Sequence, residues 1–441
     1  MVGRNCTAFK TPPAEFVGMT DPHETARLCT FCSLLCELDR EDASPDFGEA
    51  FCSRRHREWE IVTSARRDAA LPTIDSDDAI DAAQKILANS KDVLVTGRVH
   101  CVETARAAIQ LARRFSGMLD LWESDAGMDA VLAIQKNGLN SVSLAEARER
   151  TDCWIVIGSD GLLEEVPRLP QATSNGRKVP MLLMGNWSAP SIAAWKDAGF
   201  DVVGIPCSMK KIPGALAEAT RQAQNMEWDS QVGEWLHQAK YLTVLWSGRE
   251  LTYASNNITN RELWIESLLH WIAQRNEVIR AGALIWSSLE AGFQQTCTWQ
   301  TGFPGRIRFL RQGAEYRPHE YVAKRWVARK AGTAKGEDAR TPSKPCIVWV
   351  DDTSESLPDP IVQAGVPLVV LSPRKPTLDH PSMVWLPCAS TGIESTEAYF
   401  RGDQSLLVSG RNPVSITELP EVPSGGSRLR VNQWIARLIA S

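Results

Sequence analysis

The residues best suited to chemistry lie in one short stretch, Cys29-Thr-Phe-Cys32-Ser-Leu-Leu-Cys36, with Cys52 further along. The C-x2-C-x3-C-x15-C spacing lets all these thiols turn inward on one centre, either an iron–sulfur cluster or a structural zinc ion. Zinc ribbons usually present two C-x2-C knuckles, and the second is absent, so the spacing favours a [4Fe-4S] cluster held by Cys29, Cys32, Cys36 and Cys52. Zinc, and a set of thiols holding nothing, remain the alternatives. Arg54, Arg55, Arg57, Arg66 and Arg67 follow. Such a run is commonly a solvated helix face; beside thiolates it would also favour their ionised form.

Other motifs are missing. There is no GxGxxG fingerprint, Walker loop or GxSxG elbow, and the seven histidines show no HExxH or HxxEH spacing. Nucleotide binding of those types and histidine–zinc hydrolysis are therefore not indicated. Gly97 before a helix could cradle a phosphate, but a lone glycine is more often a turn. Asp351-Asp352 after a strand could hold a metal through oxygen; such acids are more often caps or solvent-facing groups. Cys101, also after a strand, reads as a buried inert thiol.

The elements that must position these residues alternate in type. Short apolar strands are expected at 92–97, 118–122, 153–157, 179–184, 200–203, 242–246, 283–286, 347–350, 367–371 and 383–386, many ending at glycine or a small polar residue. Helical spacing occurs between several of them, as at Ala79, Ala83, Ile86 and Leu87, and at Val102, Ala105, Ile109 and Ala112. This is the pattern of an α/β fold with parallel sheets. Residues 328–345, rich in Lys, Gly, Ala and Pro without apolar periodicity, are expected to form a mobile surface loop.

The 441 residues leave room for two or three domains, with 43% hydrophobic and 23% charged content and a net charge of -5. That charge gives no general attraction to nucleic acid or membrane. No apolar run reaches the roughly 18 residues that span a bilayer. The first residues lack the apolar core of a secretory signal, so a cytoplasmic protein is expected, with thiols rather than a disulfide framework. The 16 tryptophans read as core and interface filling.

Two further stretches carry a resemblance. Gly292-Phe-Gln-Gln-Thr-Cys-Thr-Trp299-Gln-Thr-Gly-Phe-Pro304 resembles a segment of the B-type chain of formylmethanofuran dehydrogenase, a member of the molybdopterin and tungstopterin oxidoreductases. Thr391-Gly-Ile-Glu394-Ser is similar to a C-terminal segment of the same family, and with the cysteines these landmarks extend over most of the chain. The resemblance implies Rossmann-like parallel sheets with a Cys-rich region at 1–70. It implies an outer α/β domain at 71–140 that resumes at 241–441, and an inserted α/β domain at 141–240.

Departures from the family are as informative. Where the dehydrogenases carry a metal-ligating cysteine or selenocysteine followed by histidine, this chain has Asp125 and Ala126. Alanine cannot transfer protons. The segment after residue 157 offers Glu164 and Glu165 where a pterin diphosphate would want neutral or basic donors. The resemblance therefore implies no catalytic residue, with Asp125 and Ala126 as degenerate positions, and no molybdopterin or tungstopterin. It points to a non-catalytic subunit of a formyltransferase/hydrolase complex in tetrahydromethanopterin-dependent one-carbon metabolism. Its partners would be formyltransferase and amidohydrolase-like subunits, with a methanofuran-like carrier passing between them. A redox-active dehydrogenase subunit using Asp125, and a free-standing iron–sulfur electron carrier, are the alternatives.

Overall fold

A computed structural model describes residues 27–28, 35, 37–38, 76–162, 178–221, 230–253, 260–287, 290–333, 344–353, 356–377, 380–391, 395, 397–409 and 429–440. The strands, in chain order, are β1 (Arg27–Leu28), β2 (Glu37–Leu38), β3 (Asp92–Arg98), β4 (Met118–Leu119), β5 (Cys153–Ser159), β6 (Val179–Asn186), β7 (Phe200–Pro206) and β8 (Tyr241–Ser247). They continue with β9 (Arg280–Trp286), β10 (Ile307–Leu310), β11 (Gly313–Tyr316), β12 (Pro345–Asp351), β13 (Leu368–Ser372), β14 (Met383–Pro387), β15 (Ala398–Phe400) and β16 (Leu407–Ser409).

Most of them build two sheets. One is seven-stranded, in the order β11-β10-β4-β3-β12-β13-β14, and the other five-stranded, in the order β7-β6-β5-β8-β9. The five-stranded sheet is parallel throughout. In the larger sheet β4, β3, β12, β13 and β14 are parallel, and the β10–β11 hairpin joins antiparallel at the β4 edge. The central strands are continuous apolar runs, Val93-Leu-Val in β3 and Ile347-Val-Trp-Val in β12, because helices cover both faces. Helices Ser76–Asn89, Val102–Arg114 and Val431–Ile439 pack on one face of the larger sheet. Ala323–Thr333 and Asp359–Gln363 pack on the other. Trp154, Trp246, Trp286 and Trp349 are fully buried fillers of these layers.

The α/β class and the parallel sheets agree with expectation, and several boundaries differ. β8 and β9, expected in the resumed outer layer after residue 240, instead join the five-stranded sheet, β8 pairing with β5 and β9 with β8. The chain thus returns to the larger sheet only after Trp286. The strand expected at 118–122 stops at Leu119, because the Asp120 carboxylate turns inward to accept from Ser124 Oγ (2.8 Å) and the Ala323 N–H (2.8 Å). Residues 328–333, expected in a loop, complete the helix Ala323–Thr333. Trp326 and Val327 are buried there, and Lys330 Nζ reaches Asp92 at 2.8 Å. Residues 334–343 lie outside the described residues.

Candidate functional site

In an open parallel sheet, ligands settle beyond the carboxyl ends of the strands, where the strand order reverses. The larger sheet reverses between β3 and β12, and the smaller between β5 and β8. Both places are filled by the chain's own acidic side chains.

At the first, β3 and β12 approach so closely that a Cβ on Gly97 (φ +148°) would lie 1.8 Å from Val350 O. β12 ends in Asp351-Asp352, and both acids are buried, not solvent-facing. The Asp352 carboxylate accepts from the N–H of His100 (2.9 and 3.0 Å) and of Cys101 (3.1 Å). Cys101 is the N-cap of helix Val102–Arg114. Asp352 therefore sits at a helix N-terminus, the position where a phosphate would be bound. Burial pushes its carboxyl up to about 6, against the pull of the Cys101 and His100 N–H groups. Asp351 lies 3.6 Å from Arg98, whose guanidinium stacks over Trp349 and donates to Ser356 O (2.9 Å). Burial pushes Asp351 up to about 7, with Arg98 opposing.

At the second, Glu250 in the short helix Gly248–Tyr253 lies buried against the turn that leaves β5. It accepts a hydrogen bond from Ser159 Oγ. A Cβ on Gly161 would fall 2.3 Å from Glu250 Oε1, so the missing side chain at Gly161 makes room for this carboxylate. The molybdopterin or tungstopterin diphosphate implied for working relatives would meet a carboxylate at each reversal point. The residues present do not fit such an anion.

Asp125 opens helix Asp125–Asn137. Both of its oxygens are engaged, one 2.5 Å from Arg306 Nη2 and the other 3.3 Å from Lys324 Nζ. Arg306 also donates to Pro318 O (2.8 Å) and approaches Asp120, whose carboxyl burial pushes up to about 6 against the Arg306 charge. The network runs from the buried Arg306–Asp120 pair out to the partly exposed Asp125 and the exposed Lys324. Ala126 is buried 3.4 Å from where a Gly248 Cβ would be, and its methyl group has no proton to transfer.

The segment around Trp299 is the helix Ala291–Thr301, closed by Gly302 in the left-handed conformation (φ +82°), whose N–H donates to Thr298 O (2.9 Å). Its start is pressed onto the first reversal point, since a Cβ on Gly292 would lie 2.3 Å from His100 O. A Cβ on Gly127 would lie 2.5 Å from Gln294 Nε2, so the same helix abuts the Asp125 turn. Trp299 itself is 60% exposed, tilted against Phe400 at 5.2 Å.

Cys29, Cys32, Cys36 and Cys52 lie outside the described residues, as do Glu164, Glu165 and residues 392–394. Leu35, between Cys32 and Cys36 in sequence, packs against Cys101 and Tyr399. Cys101 is fully buried, and burial raises its thiol well above the usual range. Asp352 and Glu250 were not singled out by sequence as filling ligand positions. An acid directly after a strand was the only available signal for Asp352, and for Glu250 the glycines of Gly158-Ser-Asp-Gly161.

Two Rossmann-like parallel layers, each with its reversal point closed by an internal carboxylate, define the class of this chain. No family model matches it, and no curated protein matches it by sequence. Among solved structures, its fold matches a chain in the crystal structure of the formyltransferase/hydrolase complex from Methylorubrum extorquens in complex with methylofuran. The TM-score is 0.62 at 17% identity, covering 84% of this chain and 96% of that one. No helix among the described residues is long and apolar enough to cross a membrane.

Proposed function

We propose that this chain is the dehydrogenase-like, non-catalytic subunit of a formyltransferase/hydrolase complex in tetrahydromethanopterin-dependent oxidation of formaldehyde to formate. The observation that carries the non-redox part is the pair of internal carboxylates, Asp352 and Glu250, at the two places where a pterin diphosphate would need donors. The ion-paired Asp125 supports it, because Arg306 and Lys324 already engage its two oxygens. Fold likeness to a chain of such a complex supports the assembly. On this reading formyl transfer and hydrolysis belong to formyltransferase and amidohydrolase-like subunits. This chain contributes a rigid α/β body beside the route of a methanofuran-like carrier. The thiols of Cys29, Cys32, Cys36 and Cys52 are assigned a structural [4Fe-4S] cluster.

The test is co-expression with formyltransferase and amidohydrolase-type subunits, purification through this chain, and analysis for molybdenum, tungsten and pterin. The expected result is a stable complex that forms formate and carries neither metal. Stoichiometric molybdenum or tungsten with a pterin would overturn the reading, as would recovery of a redox-active monomer alone.

A further inference from the structure

A second cluster of donors is built where helix Val102–Arg114 meets β15. Cys101 and Tyr399 form an isolated antiparallel bridge, which brings the strand against the helix cap. Glu397 precedes Tyr399 by two residues on the extended segment, and Glu103 lies in the first turn of the helix. One ligand atom from each of Cys101, Glu103 and Glu397 lies within 4.8 Å of the others.

Within the cluster Glu397 is hydrogen-bonded to the Glu103 and Ser395 side chains, and the Cys101 thiol also faces the Asp352 carboxylate. The Cys101 thiol donates to Thr104 Oγ1 (3.0 Å) and accepts from the Thr104 N–H (3.3 Å). Glu103 Oε2 accepts from the Ala398 N–H (3.0 Å), and Arg430 Nη1 stands 3.7 Å from Glu397 Oε1. Among the described residues, no N–H donor reaches the buried Glu397 Oε2, and the buried Tyr399 hydroxyl has no hydrogen-bond partner. Tyr399 is only 3% exposed, and its phenol is raised by the nearby Cys101, Asp352, Glu397 and Glu103 after burial itself, which places its hydroxyl among them. Native proteins rarely leave such atoms unpaired, and a missing ion is one standard cause. Burial and the neighbouring Glu103 push Glu397 up to about 8.

One thiolate with two carboxylates is a donor set for a borderline cation of the zinc class, and weakly suited to magnesium or calcium. We propose that Cys101, Glu103 and Glu397 bind one divalent zinc-class cation that ties β15 to the first turn of helix Val102–Arg114. Zinc–sulfur and zinc–oxygen bonds of about 2.3 and 2.1 Å require the three donors to close by roughly 1 Å, a side-chain movement. The thiol proton leaves to solvent as the cation enters. The site is independent of the proposed subunit role, and neither stands or falls with the other.

The experiment uses the full chain, stripped with a chelator and titrated with zinc and with cobalt as a spectroscopic probe. Because Cys29, Cys32, Cys36 and Cys52 can also take metal, the background is the variant with all four changed to serine. That background is expected to bind one equivalent of zinc, to show a thiolate-to-cobalt charge-transfer band, and to melt at a higher temperature with zinc. Cys101→Ser should lose the band and the equivalent. Glu397→Gln, close to isosteric and neutral, should lose the equivalent while keeping the metal-free melting temperature. If the four-serine background does not fold, the same comparison is made in the unaltered chain, where both variants should bind one equivalent less. Zinc stoichiometry and affinity unchanged by Glu397→Gln, or a cobalt band unchanged by Cys101→Ser, would overturn the proposal.

Discussion

Replacing Asp352 with asparagine isolates the internal anion at the first reversal point. The native carboxyl rises from 3.8 to about 6 on folding, burial being the main cause. A shift of about 2 units corresponds to about 3 kcal/mol between the two protonation states. The sign follows from the direction. The folded protein holds this proton more tightly than the unfolded one, so the contribution is fully present below about pH 4. It is lost as the pH rises through about 6. Asparagine has a similar shape to the protonated acid and no charge to desolvate. Part of that contribution is already lost at pH 4.5, so the stability of Asp352→Asn relative to the native chain should improve by about 2 kcal/mol between pH 4.5 and pH 8. Urea unfolding monitored by tryptophan fluorescence at the two pH values reads this difference, and hydrogen exchange of the His100 and Cys101 amides reads it locally. A constant difference across that range would refute the reasoning and mean that the N–H donors cancel burial. Asp352→Ala removes the acceptor as well, leaving two buried donors at about 1–3 kcal/mol each, and should be less stable than Asp352→Asn at both pH values.

Arg306→Met leaves Asp120 and Asp125 facing each other without their shared cation, and should cost about 3–5 kcal/mol in thermal or urea unfolding. A loss below about 1 kcal/mol would mean the network contributes no more than a surface pair. Gly97→Ala drives a methyl group into the Val350 carbonyl and should cost about 3 kcal/mol, read as a fall in soluble yield and melting temperature. Among the described thiols, Cys207 is partly exposed whereas Cys153, Cys297 and Cys346 are buried with pKa values pushed up to about 12. Alkylation at pH 8 followed by mass spectrometry should modify Cys207 first, and early labelling of Cys297 would contradict the burial argument. Cys32→Ser should impair assembly of the proposed complex yet spare formate production by whatever assembles; normal assembly would remove the structural role given to the cluster.

The strands were legible because a central parallel strand must be apolar on both faces, and Val93-Leu-Val or Ile347-Val-Trp-Val leaves little other use for such a run. Sheet membership was not legible. Tyr241–Ser247 and Arg280–Trp286 have the same texture as strands of the larger sheet, and only hydrogen-bond register assigns them to β5 and its neighbours. The hairpin Ile307–Tyr316 also escaped, being half-buried, short and charged at Arg308 and Glu315. At the site, the acid at position 125 was visible in sequence, but its engagement by Arg306 and Lys324 comes from residues distant in the chain. Asp352 was noticed, and its burial was not, because an acid after a strand has identical local signals whether it faces water or a helix N-terminus.

The nesting of one sheet within the other sets an order of events during synthesis. β5 to β9 are contiguous, so the five-stranded layer can close once Trp286 has left the ribosome. β3, made much earlier, must wait for β12, with Asp92 pairing opposite Pro345. At about 5–20 residues per second, the stretch from Trp286 to Pro387 takes roughly 5–20 s, during which β3 has an open edge. Nascent chains stalled near residue 340 should therefore engage chaperones more than chains stalled near residue 430, after β14 has left the ribosome. Attachment of a partner to the early layer could begin while the later one is still incomplete.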